Sequence, residues 1–292
     1  MDKTRMKHLV IVAGMPRVGT TFLYHNLQLH PDIFLPKRKE IGFFSYRYHE
    51  GIKWFLDYYK DISDEQVPFD ICPIYCFDHD VIDRILDMNQ DAKVILGLRD
   101  PTSWAFSWHE QIRSYSNLLP FQQFIKEGFS FERDGKKLAI NFEDGRIATI
   151  ITNYKKVFGK QLLLFDFSIL KKSPLSLLKA IESFSGIRAY FEEGNFINRR
   201  INASGRKTNR LFNQLLLARG VSDLVTKLLP RKLLQFIRSW VETNSLKNNQ
   251  VDEWKNKFSE EDRRVAEEVF QKDKLFIEEL FKGSPIRLGD SV

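Results

Sequence analysis

Three groups of residues in this 292-residue chain have the types and spacing to do chemistry. The stretch Gly14-Met15-Pro16-Arg17-Val18-Gly19-Thr20-Thr21 follows the apolar run His8-Leu9-Val10-Ile11-Val12-Ala13 and leads into Phe22-Leu23-Tyr24-His25-Asn26-Leu27. A β-branched run that breaks at glycine and passes into a helix aims backbone N–H groups and a positive helix end at one spot, which suits a phosphate. In the second group, Arg99-Asp100-Pro101 is followed by Ser107. A guanidinium fork with a hydroxyl suits a phosphate monoester, although Arg99 could also cap its strand and pair with Asp100. The third group is Glu40, which stands after Lys37, Arg38 and Lys39 and before Ile41 and the Phe43-Phe44 pair. Read from these neighbours alone, Glu40 is a solvated carboxylate that neutralises them. Within reach of an acceptor proton, the same carboxylate is a fit general base.

The elements that must position these groups alternate. Strands are expected at 8–13, 93–98 and 161–166, and helices at 20–29, 51–60, 81–88, 102–114 and 145–157, with loop 14–19 between the first strand and helix. Ser173-Pro174 opens a further helix with a hydroxyl cap and proline at its first position. Short apolar strands between helices predict an α/β fold of three layers, a central parallel sheet covered on both faces. Ligands in such sheets sit beyond the carboxyl ends of the strands, so Gly14 and Arg99 face one crevice. The loop spacing is that of a P-loop, but Thr20 stands where a nucleoside triphosphatase carries lysine. Such a loop holds a phosphate without gripping a β,γ-triphosphate. From about residue 209 the chain is helical and leucine-rich as far as Trp240. Ser259-Glu260-Glu261-Asp262 resembles a capping box that opens one last helix, with Val265, Val269, Phe276 and Leu280 on one face and its end at Gly283. The expectation is a single domain over 1–292, with a helical portion from about 209.

Composition narrows the function. At 43% hydrophobic and 28% charged residues the chain can bury a large core. A net charge of +7 favours anionic ligands, yet the basic residues are spread along the chain, so no nucleic-acid arm is indicated. Cys72 and Cys76 lack a second ligand pair and read as two thiols; no metal is expected. A first strand from about residue 8 leaves no room for a signal peptide, and no apolar run nears the ~20 residues that span a bilayer. The expected address is cytoplasmic.

Together these segments resemble the sulfotransferase family, which moves a sulfuryl group from 3′-phosphoadenosine 5′-phosphosulfate (PAPS) to a hydroxyl or amine. Pro16-Arg17-Val18-Gly19-Thr20-Thr21-Phe22 is similar to the family's loop for the 5′-phosphosulfate. Leu98-Arg99-Asp100-Pro101 with Ser107 resembles the segment that clasps the 3′-phosphate, and Ser204-Gly205-Arg206-Lys207 the late loop over the cofactor. Lys39-Glu40-Ile41-Gly42-Phe43-Phe44 looks like the branch acting on heparan sulfate and related carbohydrates. The resemblance implies that Glu40 is the base for in-line attack on sulfur, with adenosine 3′,5′-bisphosphate leaving. It also implies that Lys39, Phe43, Asp70 and Tyr75 line the acceptor cleft.

Some positions depart from the family pattern. Arg17 replaces the usual lysine and, staying protonated, acts as an electrostatic clamp. Val18 replaces a hydroxyl or glycine. Trp104 takes the place of a second arginine, which weakens the 3′-phosphate site or transfers that role to Arg206, and is itself expected in the core. His25, His49 and His109 have no metal-type partner at helical spacing; His49, just past the proposed base, is the catalytic candidate among them. The implied acceptor is a glycan, a small molecule or a lipid-linked compound. Two other functions compete: a P-loop kinase, which would want the missing lysine, and a non-catalytic adaptor using the basic helices of 209–240 for peripheral membrane contact. Oligomeric state is not readable.

Overall fold

The computed structural model of the chain describes residues 6–113, 119–198 and 258–290. The chain divides into two compact units, Met1–Ile201 with Glu260–Val292, and Asn202–Ser259. Gly205, Arg206, Lys207 and the helices expected between 209 and 257 lie outside the described residues.

Three runs of β-branched residues and leucine form the centre: β1 (Val10–Gly14), β4 (Lys93–Leu98) and β7 (Leu162–Asp166). Every residue of β1 is buried, as are Val94–Leu98, so apolar side chains serve both faces of the sheet. With β2 (Ile33–Phe34), β3 (Val67–Ile71) and β8 (Ile286–Leu288) they make a six-stranded sheet in the order β2-β3-β1-β4-β7-β8. All its pairings are parallel except that of β8 with β7. A separate antiparallel hairpin joins β5 (Phe129–Arg133) to β6 (Lys136–Ile140).

The helices are α1 (Thr20–Leu27), α2 (Gly51–Asp57), α3 (Val81–Met88), α4 (Pro101–Arg113), α5 (Phe121–Glu127), α6 (Arg146–Phe158), α7 (Ile169–Lys172), α8 (Pro174–Ser185), α9 (Glu260–Val269) and α10 (Gln271–Leu280). This is the three-layer α/β fold expected, with α1 leaving the carboxyl end of β1 and α4 that of β4. Among the described residues, no helix is long and apolar enough to cross a membrane.

Several local expectations are corrected. The single helix from Ser259 to Gly283 is two helices, broken at Phe270 (φ −109°, ψ 18°). Phe270 is buried edge-on against Trp104 and Phe142, and seating it there turns the chain. Val269 and Phe276 are only half-buried, while Ile277 is buried instead. Ser173 makes no side-chain cap: its hydroxyl meets that of Ser176 at 2.6 Å, though Pro174 does open α8. The helix placed at 51–60 stops at Asp57.

Candidate active site

The loop after β1 is fastened to the next strand and helix by main-chain atoms. Met15 N donates to the Gly97 carbonyl of β4 at 2.9 Å. The Trp104 indole N–H, fully buried on α4, donates to the Pro16 carbonyl at 3.0 Å. Gly19 caps α1 at φ 89°, and a Cβ there would stand 2.1 Å from Leu170 Cδ1. Only glycine therefore makes this turn. Helix geometry points the N–H groups of the first turn of α1 out along its axis, toward the loop's concave side.

Around that spot the structure gathers cations and hydroxyls. Arg17 has φ 65°, and its Nε donates to Ser107 Oγ on α4 at 3.0 Å. Arg99, at the end of β4, donates from Nη1 to the Arg17 carbonyl (3.4 Å) and from Nε to Ser103 Oγ (3.1 Å). Its guanidinium also lies 4.7 Å from the centre of the Phe167 ring. Burial, then the nearby positive charge of Arg17, push Arg99 down to about 10, with Asp100 opposing. Arg99 therefore stays charged near neutrality, and two guanidinium groups held this close favour an anion beside them. Arg17, Ser107 and Arg99 thus lie close together, but the expected pairing is corrected: Ser107, read with Arg99, accepts from Arg17, and Ser103 stands beside Arg99 instead.

Glu40 sits on a turn beside this loop. Tyr24 of α1 donates to the carbonyls of Pro36 (2.9 Å) and Lys37 (3.0 Å), tying the approach to the turn onto the loop's own helix. Lys39 Nζ donates to Thr21 Oγ1 at 3.2 Å and to Glu40 Oε1 at 2.8 Å. One ammonium therefore spans the loop and the carboxylate. Glu40 itself is left-handed at φ 59°, a conformation costing a non-glycine residue on the order of 1 kcal/mol.

The remaining candidates lie behind or beside the turn. Phe43 is fully buried, stacked 4.5 Å from Phe55, and packs under the turn. Asp70 is also buried; it accepts from the Tyr75 hydroxyl at 2.8 Å, and that oxygen accepts from Phe44 N at 3.3 Å. Burial pushes the Asp70 carboxyl up to about 7, opposed by the Tyr75 bond and helped by the Glu40 charge. His49 is exposed, with Glu50 Oε1 3.8 Å from its ring, and no contact among the described residues joins it to Glu40. His25 lies edge-on to Tyr24, and the buried His109 ring meets the Leu119 carbonyl at 2.9 Å. The Asp78-His79-Asp80 cluster has the Lys136 ammonium 2.8 Å from Asp78 and 3.0 Å from Asp80, and the Arg84 guanidinium 2.7 Å from Asp80, so its two carboxylates already face two cations.

The sulfotransferase domain profile matches residues 7–285, nearly the whole chain. The chain belongs to the sulfotransferase family. Among similar proteins is a bifunctional heparan sulfate N-deacetylase/N-sulfotransferase 4 of Mus musculus, 29% identical over 195 residues that make 62% of this chain and 22% of that protein. Another is a membrane-associated sulfotransferase, kil1, of Dictyostelium discoideum, 34% identical over 127 residues, 40% of this chain and 27% of that one. The chain thus spans about a quarter of the length of these relatives. A solved sulfotransferase from Alicyclobacillus acidocaldarius shares the fold, with a TM-score of 0.52 at 19% identity over 65% of this chain and 85% of the other.

Two residues of the candidate site, Ser103 and Tyr46, escaped the sequence reading, and a third was placed correctly without its role. Ser103 lies in the first turn of α4, four positions after Arg99, a spacing that was there to be read. Trp104 was expected in the core, but not as the donor that holds Pro16. Tyr46 carried no sequence signal; its hydroxyl donates to the Glu40 carbonyl at 3.2 Å.

Proposed function

We propose that this sulfotransferase uses PAPS as donor and sulfates a hydroxyl or amine of a carbohydrate acceptor, with Glu40 as the general base. The observation that carries the reading is Lys39, whose one ammonium touches both Thr21 of the anion loop and the Glu40 carboxylate. A base so placed borders the pocket where a phosphate-bearing donor would lie.

The donor set fits PAPS by its chemistry. Arg17, oriented by Ser107, with Thr20, Thr21 and the start of α1 would hold the 5′-phosphosulfate, and Arg99 with Ser103 the 3′-phosphate. When bound, PAPS would supply an activated sulfuryl group. Arg17 keeps its proton through the reaction and balances negative charge with its fork. Lys39 holds the Glu40 carboxylate at the edge of the loop, where it can accept the acceptor's proton. Arg17 cannot act as the acid, so charge balance rather than proton donation is its contribution. A carbohydrate acceptor is supported by the names of the relatives, which include heparan sulfate N-sulfotransferases.

A thermal-shift comparison tests the donor. Adenosine 3′,5′-bisphosphate should raise Tm far more than ATP with magnesium, and Arg99→Ala should remove most of that shift, with Kd rising about 10- to 100-fold for a lost charged hydrogen bond. Equal shifts from the two nucleotides would favour a kinase instead. Labelled-sulfate transfer to a panel of glycans and small alcohols, including de-N-sulfated heparan, identifies the acceptor.

A further inference from the structure

The turn bearing Glu40 is closed from inside by one aromatic side chain. Glu40 and Gly42 are both left-handed, at φ 59° and 76°. The Tyr46 ring lies so close over Gly42 that a Cβ there would stand 2.0 Å from ring atom Cζ. Its hydroxyl donates to the Glu40 carbonyl at 3.2 Å, while Ser45 N (3.3 Å) and Arg47 N (3.1 Å) both donate to the Gly42 carbonyl. The ring is in turn braced by the β5–β6 hairpin. The Arg133 guanidinium lies 4.7 Å from the ring centre, and Arg47, also near the ring at 5.8 Å, is held by Asp134 at 2.7 Å. Lys136 pins the same hairpin to Asp78 and Asp80 beyond the turn.

We infer that Tyr46 is a positioning residue for Glu40, its ring and hydroxyl together setting where the carboxylate is presented to the acceptor. The inference rests on Glu40 being the base. The hydroxyl meets the main chain of the residue whose side chain carries the chemistry, at a position where the backbone would otherwise leave the left-handed region. Burial pushes the phenol above its usual range, so it keeps its proton and remains a hydrogen-bond donor near neutrality. A misplacement of about 1 Å in a reacting group can cost as much as ~100-fold in rate.

Tyr46→Phe deletes only the hydroxyl. With the acceptor that the unsubstituted enzyme uses best from the panel above, kcat should fall about 10-fold while the Kd of adenosine 3′,5′-bisphosphate stays within about twofold. In a Glu40→Gln background, where labelled-sulfate transfer reads the residual rate, the same change should matter by less than about twofold, because its effect acts through Glu40. Parent-like turnover in Tyr46→Phe, or an equal loss in both backgrounds, overturns the inference and leaves the base intact. Parent-like turnover in Glu40→Gln alone removes the base, and the inference with it. Should Tyr46→Phe fail to bind the bisphosphate, Arg133→Gln decides: a kcat fall of about threefold supports the brace, and no change overturns it.

Discussion

On one side of the cleft, Pro16 and Arg17 are held through their carbonyls by Trp104 and Arg99, side chains rooted in α4 and β4. On the other, Glu40 hangs from a left-handed turn closed by the side chains of Lys39 and Tyr46. The anion loop inherits its geometry from the regular core of the sheet. The carboxylate's turn inherits its geometry from side chains, its own Lys39 and Tyr46 and Arg133 of the β5–β6 hairpin. Substitutions on the two sides should therefore separate ligand affinity from turnover.

The sharpest way to break this contrast is Glu40→Gln. Turnover should fall on the order of 10²- to 10⁴-fold, as for loss of a general base, with bisphosphate affinity within about twofold by calorimetry. A matching loss of affinity would merge the two sides into one.

Asp70 sharpens it through pH. Its carboxyl is raised from 3.8 to about 7, so between those values the folded protein keeps a proton that the unfolded chain has lost. Stability from this group is full below about pH 4 and is lost as pH rises through about 7, by up to about 4 kcal/mol. Asp70→Asn should flatten that slope in urea titrations at pH 5 and pH 8. An unchanged slope would show that Asp70 does not titrate behind the turn.

The smallest effect is expected on the loop side. Trp104→Phe leaves the Pro16 carbonyl without its indole donor, and should cost about 1–2 kcal/mol in chemical denaturation and a few-fold in bisphosphate affinity. Turnover at saturation should barely move; a large fall in kcat would mean that α4 reaches the chemistry as well as the ligand.

How far each side could be read from sequence follows from the same difference. β1, β4 and β7 announce themselves as apolar runs ending at Gly14, Arg99 and Asp166, and the loop between β1 and α1 follows from its glycines. β3 was missed because Pro68 and the buried Asp70 interrupt the apolar pattern that marks an interior strand. The hairpin had a legible sign: Asp134-Gly135, at φ 48° and 79°, form a two-residue turn between alternating segments. What no local pattern could carry is the closure of the turn at Glu40. That depends on Tyr46 folding back over Gly42 and on Arg133 arriving from the far hairpin, contacts that only the folded chain assembles.

The pairing of Ile286–Leu288 with β7 carries a consequence for how the molecule is made. While the chain emerges from the ribosome, Leu162–Asp166 must wait for a partner encoded far downstream, with an open hydrogen-bonding rim facing other nascent chains. Synthesis stalled before that segment would leave the anion loop in place but the five-residue β7 as a bare edge, longer than the three-residue edge of β8 and more prone to stick to its own kind.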